Sequence, residues 1–456
     1  MTRSPGSFRI SFSSPKEWVE GRSPVMENHS LTYRKSVLDN GLRVITVEMP
    51  HLHSVEISLY VKAGTRFETE ANNGISHFLE HMLFRGTKNM PNSYQLHKRF
   101  ESLGGDINAV TGVEDTCYWL SLHPRYFARG VALFSELFLS PRFADMDTEK
   151  QIILEEILNE TNERGEDIDI DNLSSKMLWP DSSLGFPTLG SRENVLRFTE
   201  QEVRSFFETH YTASNMVLCI AGKIGHEQAL SLASRYFSAL PRGQEIQITP
   251  QKSCQQAARV LFKKNSGSQA NVQVCFRAVS YNSPDYYAIL LLQRIMDYGN
   301  SSRLQWNIRE RQGLVYDISA SVSSFHDTGT FDIDFSVAPG KISRVVQEVL
   351  RQIKNLTTEL VSQEEFSRAR RRCILEFDFS LDNVAKMADR FGWNELYRQG
   401  ESLEAERKKI EQVTREQIFR LCREHFVNSG LNIVVVGQYS KEEEVRVNAL
   451  AREFSP

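Results

Sequence analysis

Asp106-Ile-Asn-Ala-Val-Thr-Gly-Val-Glu-Asp-Thr-Cys-Tyr-Trp-Leu-Ser-Leu122 and Asp317-Ile-Ser-Ala-Ser-Val-Ser-Ser-Phe-His-Asp-Thr-Gly-Thr-Phe-Asp-Ile333 carry one pattern twice. In each, apolar and polar residues alternate, a polar turn intervenes, and the alternation resumes, which predicts a strand pair. A helical run follows each, at 130–138 and 343–350. A second match closes each half. Phe198-Thr-Glu-Gln-Glu-Val-Arg-Ser-Phe-Phe-Glu-Thr-His210-Tyr aligns with Val413-Thr-Arg-Glu-Gln-Ile-Phe-Arg-Leu-Cys-Arg-Glu-His425-Phe. Both open on a threonine N-cap signal and run through a helix into an apolar strand that ends at Gly222 or Gly437. The two matches lie 211 and 215 positions apart, so one register with a few inserted residues explains both.

This repeat predicts two homologous domains, 30–237 and 258–445, joined by a polar linker at 238–257 that contains Pro241, Gly243 and Pro250. Residues 446–456 are expected to be a tail. Strands and helices are mixed within each half rather than strictly alternating, so the class is α+β, each half a largely antiparallel sheet flanked by helices. Residues 1–29 are expected to be disordered or a targeting extension. They are rich in serine and arginine with no acid before Glu17, Pro5 and Pro15 break any long amphipathic helix, and Met26 could be the real start.

Composition narrows the function. Charged residues make up 25% and mean hydropathy is -0.38, values of an ordinary globular protein. No apolar run is long enough for a transmembrane segment. A net charge of -4 gives no general attraction for nucleic acid, and none is expected as a partner. The six cysteines are too scattered for a metal clip or a disulfide framework, which points to a reducing compartment.

One half holds chemistry that the other lacks. Gly74-Ile-Ser-His77-Phe-Leu-Glu80-His81-Met-Leu-Phe84-Arg-Gly86 reads as a short helix. His77 and His81 are four residues apart, so both imidazoles share one face and can grip one ion, with Glu80 within a turn. Two imidazoles suit Zn²⁺, and a neighbouring carboxylate is what a general base requires. An HxxEH string arises by chance in only about 0.02 of chains of this composition. A third ligand is needed. Thr148-Glu149-Lys-Gln-Ile-Ile-Leu-Glu155-Glu156-Ile157 offers it, with Glu149 and Glu156 two turns apart on one face. Glu156 stands among Ile152, Ile153 and Ile157, where a buried unpaired carboxylate would be costly and a metal would resolve the cost. The competing reading is a solvated acidic helix.

His77-Phe-Leu-Glu80-His81, with Glu156 75 positions after His81, resembles the M16 (pitrilysin-like) zinc metallopeptidases, whose HxxEH inverts the HExxH of thermolysin-type enzymes. The resemblance extends from about residue 35 through Leu38-Asp-Asn-Gly-Leu-Arg-Val-Ile-Thr, Ala63-Gly-Thr-Arg-Phe-Glu, Phe84-Arg-Gly-Thr, Asn108-Ala, Arg303-Leu and Arg309-Glu-Arg-Gln-Gly-Leu-Val-Tyr316. Length and plan are similar to the short subfamily that contains mitochondrial processing peptidase β subunits and bacterial relatives.

The resemblance implies a peptidase whose two halves form a clamp-like chamber. It implies one zinc per chain held by His77, His81 and Glu156, with Glu80 as general base and Glu149 in support. Asn108 and Ala109 would lie beside an extended or unfolded peptide substrate, presequence-like in one version, and Arg309 and Tyr316 would reach it from the second half. It further implies a homodimer or a heterodimer with a related subunit. A cytoplasmic location is expected in a bacterium, and the mitochondrial matrix is possible in a eukaryote. The stretch Ala288-Ile-Leu-Leu-Leu-Gln-Arg-Ile-Met-Asp297 takes the place of the metal helix in the second half and has no HxxEH, so it should bind no metal. The rival functions are a catalytically silent subunit of a processing or respiratory complex, and a peptide-binding chamber in which metal is structural.

Overall fold

A computed structural model describes residues 32–251, 255–397 and 401–455. The expected extension at 1–29 and part of the expected linker lie outside the described residues. Six strands form the first sheet: β1 (Thr32–Val37), β2 (Arg43–Glu48), β3 (Val55–Val61), β4 (Asp106–Thr111), β5 (Thr116–Leu122) and β6 (Met216–Gly222). Their spatial order is β1-β2-β6-β3-β5-β4. Five more form the second: β7 (Arg259–Lys263), β8 (Ala270–Ala278), β9 (Asp317–Ser324), β10 (Gly329–Val337) and β11 (Asn432–Val436), in the order β7-β11-β8-β10-β9.

The duplication read from sequence is visible in this topology. Without β1, the first sheet runs β2-β6-β3-β5-β4, and each strand has its counterpart in the second. In each sheet one pair is parallel, β2 with β6 and β7 with β11, and all the others are antiparallel. The quoted repeat supplies the hairpins β4–β5 and β9–β10, which puts β4 and β9 at sheet edges. The threonine signals are realised too: Thr199 caps Glu200–His210 in a reciprocal box with Glu202, and Thr414 caps Arg415–His425.

Each sheet packs one face on helices of its own half. The first core joins Val44, Ile57, Leu59, Tyr118, Leu120 and Leu218 to Phe78, Leu79 and Phe134. The second joins Val274, Phe276, Phe331 and Ile433 to Ile289, Leu292 and Val346. The other face of each sheet is covered by a helix from the opposite half. Val384–Tyr397 lies on β3 and β6, where Gly392 approaches so closely that a Cβ would overlap the Tyr60 ring and sit 2.9 Å from the Cβ of Cys219. Ile170–Leu178 lies on β11 and β8, burying Leu173 against Val434 and Val436. The boundaries at 237 and 258 thus separate the strands but not the packing.

The expected tail at 446–456 is a correction. Residues 446–453 continue the helix Lys441–Glu453, capped by Ser440. Val447, Ala451 and Phe454 recur at helical spacing and are buried in the second core, so one apolar face ties the C-terminus down. No helix among the described residues is long and apolar enough to cross a membrane.

The seam under Ile170–Leu178 holds carboxyl groups. Gln273 Nε2 donates to Asp171 at 2.7 Å and to Asp334 at 2.8 Å, and Thr330 donates to Asp332. Burial pushes Asp332 up to about 8 despite the Thr330 hydrogen bond, and the charges of Asp334 and Asp171 add to the rise. An unfolded aspartate loses its proton near about 3.9. The folded state therefore holds a proton that the unfolded state has lost, and the stabilisation present below that pH is lost as pH rises toward 8. The urea midpoint should fall between pH 5 and 8, and Asp332→Asn, which needs no proton, should flatten that slope. Identical slopes in the two proteins would contradict a buried neutral Asp332.

Candidate metal centre

The helix Ile75–Leu83 presents two faces. Ile75, Phe78, Leu79, Met82 and Leu83 are buried in the first core, which turns His77, Glu80 and His81 outward. Its start is fixed by Gly74 and Glu68. Gly74 has a φ of 97°, and a Cβ there would meet Gly190 at 2.7 Å, so only glycine fits. The buried Glu68 carboxylate accepts from Ser76 N (2.8 Å), Gly74 N (2.8 Å) and Asn73 Nδ2 (2.9 Å). The two backbone amides are donors at the helix start that the helix cannot satisfy itself, and a negative charge there also meets the positive end of its dipole. Burial raises the Glu68 pKa, opposed by these donors.

The helix Met146–Asn159 packs alongside and brings Glu149 and Glu156 to the same place. His77 Nε2 and His81 Nε2 lie 3.2 Å apart, and Glu156 Oε2 is 3.7 Å from each. Among the described residues, these three make the one group of His, Cys, Asp or Glu side chains close enough to share an ion. Tetrahedral zinc with bonds of about 2.0–2.1 Å holds neighbouring donors ~3.3–3.4 Å apart, so two imidazoles and a carboxylate at this spacing fit that ion.

Partners behind the donors set their orientation. His81 Nδ1 lies 2.7 Å from Glu149 Oε1; donation there leaves Nε2 as the lone-pair nitrogen, and Glu149 Oε2 pairs with Arg85 Nε at 3.1 Å. Burial, with the charge of His81, lowers His77 to about 3, so this imidazole is neutral. Burial also lowers His81, but the Glu149 hydrogen bond and the charges of Glu156, Glu149 and Glu80 outweigh it and raise the net value. Glu80 stands within electrostatic reach of His81 and Glu156, and its Oε2 accepts from Thr111 Oγ1. Burial raises its pKa, Thr111 and His81 lower it, and Glu156 adds to the rise.

One sequence argument is corrected. Glu156 is not buried among isoleucines: its side chain is 39% exposed and Ile152 faces solvent. The helix instead turns Ile153 and Leu154 into the core, and Glu149 is the sequestered acid, 4% exposed. Asn108 is exposed and Ala109 half-buried on the edge strand β4. Arg309 and Tyr316 are not brought into contact with the cluster. Arg309 lies on the π-helical turn Gln305–Glu310 and donates to Gln305 at 3.2 Å, while Tyr316, just before β9, is 82% exposed. The second-half helix Tyr286–Met296 carries apolar residues where ligands would stand. Sequence reasoning assigned no role to Glu68, Thr111 or Arg85. Glu68 stands nine residues before His77 in the quoted Ala63–Glu68 stretch, and that spacing was its signal.

The family model described as "Insulinase (Peptidase family M16)" matches residues 43–191, and that described as "Peptidase M16 inactive domain" matches 197–373. A protein of Rickettsia bellii named as a zinc protease is 33% identical, over 79% of this chain and 87% of its own. A probable mitochondrial-processing peptidase subunit beta of Schizosaccharomyces pombe is 26% identical, over 88% and 90%. The crystal structure of a protease from Helicobacter pylori superposes with a TM-score of 0.80 at 19% identity, covering 89% of this chain and 99% of that one, a likeness of fold.

The Glu68 cap makes a prediction of its own. Glu68→Ala orphans the buried amides of Gly74 and Ser76 at about 1–3 kcal/mol each before relaxation, while Asn73 keeps its bond to the Pro187 carbonyl, so a loss of about 2 kcal/mol or more is expected in urea denaturation. Glu68→Gln, which keeps an acceptor oxygen, should lose less. An unchanged midpoint for the alanine variant would mean that the cap does not hold the helix.

Proposed function

The chain belongs to peptidase family M16, and from that premise we propose that it is a zinc-dependent endopeptidase cleaving extended or unfolded peptides between its two halves. The observation that carries this reading is the convergence of His77 Nε2, His81 Nε2 and Glu156 Oε2, with Glu80 within electrostatic reach of His81 and Glu156. His77, His81 and Glu156 would hold one zinc. When bound, zinc supplies Lewis acidity toward a scissile carbonyl and lowers the pKa of water toward neutrality. Glu80 takes the proton from the attacking water and passes it to the leaving amine. Glu149 keeps His81 in the tautomer whose Nε2 points at the ion. An extended peptide adds to the free edge of β4 beside Asn108 and Ala109, which gives main-chain affinity with little demand on sequence. From the second half, Arg309 and the exposed hydroxyl of Tyr316 hold a substrate carbonyl oxygen as the chamber closes. The working unit is a homodimer or a pair with a related subunit.

The test is peptide cleavage and zinc content measured on the same preparations. Glu80→Gln should lose about 10²- to 10⁴-fold in cleavage and keep its zinc. His77→Ala and Glu156→Ala should lose the metal, and Glu149→Gln should weaken its binding about 10- to 100-fold. Arg309→Ala and Tyr316→Phe should slow cleavage with zinc intact. A zinc-loaded wild type no more active than Glu80→Gln would instead identify a catalytically silent subunit.

A further inference from the structure

We propose that Thr111 is a positioning residue: its hydroxyl clamps one oxygen of Glu80 to the edge strand β4, so that the strand a peptide would pair with also aims the base. This rests on the hydrolase reading above and names a residue that the reading leaves without a role.

The assignment follows from counting protons. Each threonine hydroxyl has one to give. Thr116 Oγ1 donates to the Ala63 carbonyl at 2.9 Å. The Thr111 and Thr116 hydroxyls are 3.5 Å apart, and with Thr116 committed elsewhere no proton need lie between them. The Thr111 proton therefore goes to Glu80 Oε2, since an ionised carboxylate can only accept. No donor among the described residues is recorded on Glu80 Oε1. The two oxygens are thus unequal: Oε2 is held by protein, and Oε1 is left for water.

Thr111 is suited to the task by position. It is the last residue of β4, buried, and it pairs with Thr116 across the hairpin, which Gly112 N closes onto Asp115 O at 2.7 Å. A β-branched side chain has little χ1 freedom, so the backbone of β4 decides where the hydroxyl points. Asn108 and Ala109 lie three and two residues away on that strand, within ~10 Å at the usual rise. A peptide that adds to this edge and shifts or stiffens β4 moves the oxygen that holds Glu80. Docking and alignment of the base then become one event, and the effect belongs in turnover rather than in affinity.

The experiment compares zinc-loaded full-length wild type, Thr111→Val and Thr111→Ser on one unstructured peptide. Thr111→Val keeps the side-chain shape without the donor; kcat should fall about 10- to 100-fold, less than removal of the base itself, with KM and zinc content unchanged. Thr111→Ser, which restores the hydroxyl, should recover most of kcat. In the Glu80→Gln background, where the peptide is not cleaved, Thr111→Val should leave peptide Kd unchanged. A crystal structure of the Thr111→Val protein should show the Glu80 carboxylate moved from its present place. An active wild type matched by an equally active Thr111→Val overturns this proposal alone. So does a loss seen as zinc release or raised KM, or an unmoved Glu80. A zinc-loaded wild type that cleaves nothing overturns the hydrolase reading and this proposal together.

Discussion

The buried carboxylate of Glu68 is the contact on which the rest of the first half depends. It is held by Gly74 N, Ser76 N and Asn73 Nδ2, and so it sets the first turn of the helix that carries His77, Glu80 and His81. Two residues earlier in the same loop, Arg66 points the other way. Its guanidinium is almost wholly buried and pairs at 2.6 Å with Glu114 on the β4–β5 turn and at 2.6 Å with Asp327 on the β9–β10 turn. His326 N closes the network by donating to Glu114. One short segment therefore locks the metal helix in place and ties the first half to the second. Breaking a buried pair of this kind leaves an uncompensated charge, which costs more than the pair itself stabilises, so the geometry between the halves is strongly specified.

The exchanged helices reinforce that specification. β3, β6 and β11 are buried at every position, so both sheets have two faces to cover rather than one face left to water. Here each half supplies the other's cover: Phe391 and Gly392 for the first sheet, Leu173 and Leu178 for the second. Lys35 and Arg43 on the first sheet both reach Glu395 of its covering helix. Arg259 and Arg277 on the second donate to the carbonyls of Met177 and Leu178 at the end of its own. Neither half buries its sheet alone, so cooperative unfolding of the two is the physical expectation.

The sequence disclosed what is encoded locally. Alternation over β4–β5 and β9–β10, the caps at Thr199 and Thr414, and the closing glycines depend on neighbouring residues, and all were legible. So was the pairing of His77 with His81, because four residues is one helical turn. What escaped depends on distant partners. The amphipathic patterns of Ile170–Leu178 and Val384–Tyr397 say that each helix buries a face, not which sheet receives it. Lys441–Glu453 opens on a run of acids that resembles a solvated end, yet Glu443 in that run is buried and accepts from Ser343 N, and the apolar part of the buried face begins only at Val447. The isoleucines beside Glu156 in sequence divide between core and solvent, Ile153 buried and Ile152 exposed, so they do not enclose its carboxylate. Thr111 carries no motif at all; its role depends on a hydroxyl meeting a carboxylate 31 positions away.

The difference between the halves has a packing origin. A nine-residue helix has room for one buried stripe and one working face. Ile75–Leu83 keeps both because Glu68 and Gly74 hold its N-terminus without help from the face that carries His77 and His81. In the second half, Asp285 stands at the start of the corresponding helix, but its carboxylate pairs with Arg420 and Gln417 instead of capping buried first-turn amides. That helix is fixed by its side chains: Tyr287, Ala288, Ile289, Leu291, Leu292, Ile295 and Met296 are all buried. Its remaining face, Tyr286, Leu290, Gln293 and Arg294, is half-buried and already occupied, with Gln293 donating to the Ala320 carbonyl and Arg294 paired with Glu376. A histidine placed there would be desolvated without a partner, at a cost that burial of a polar group always carries. Restoring the HxxEH residues alone would therefore not restore a metal site in the second half. The anchor that frees the face would have to be restored first.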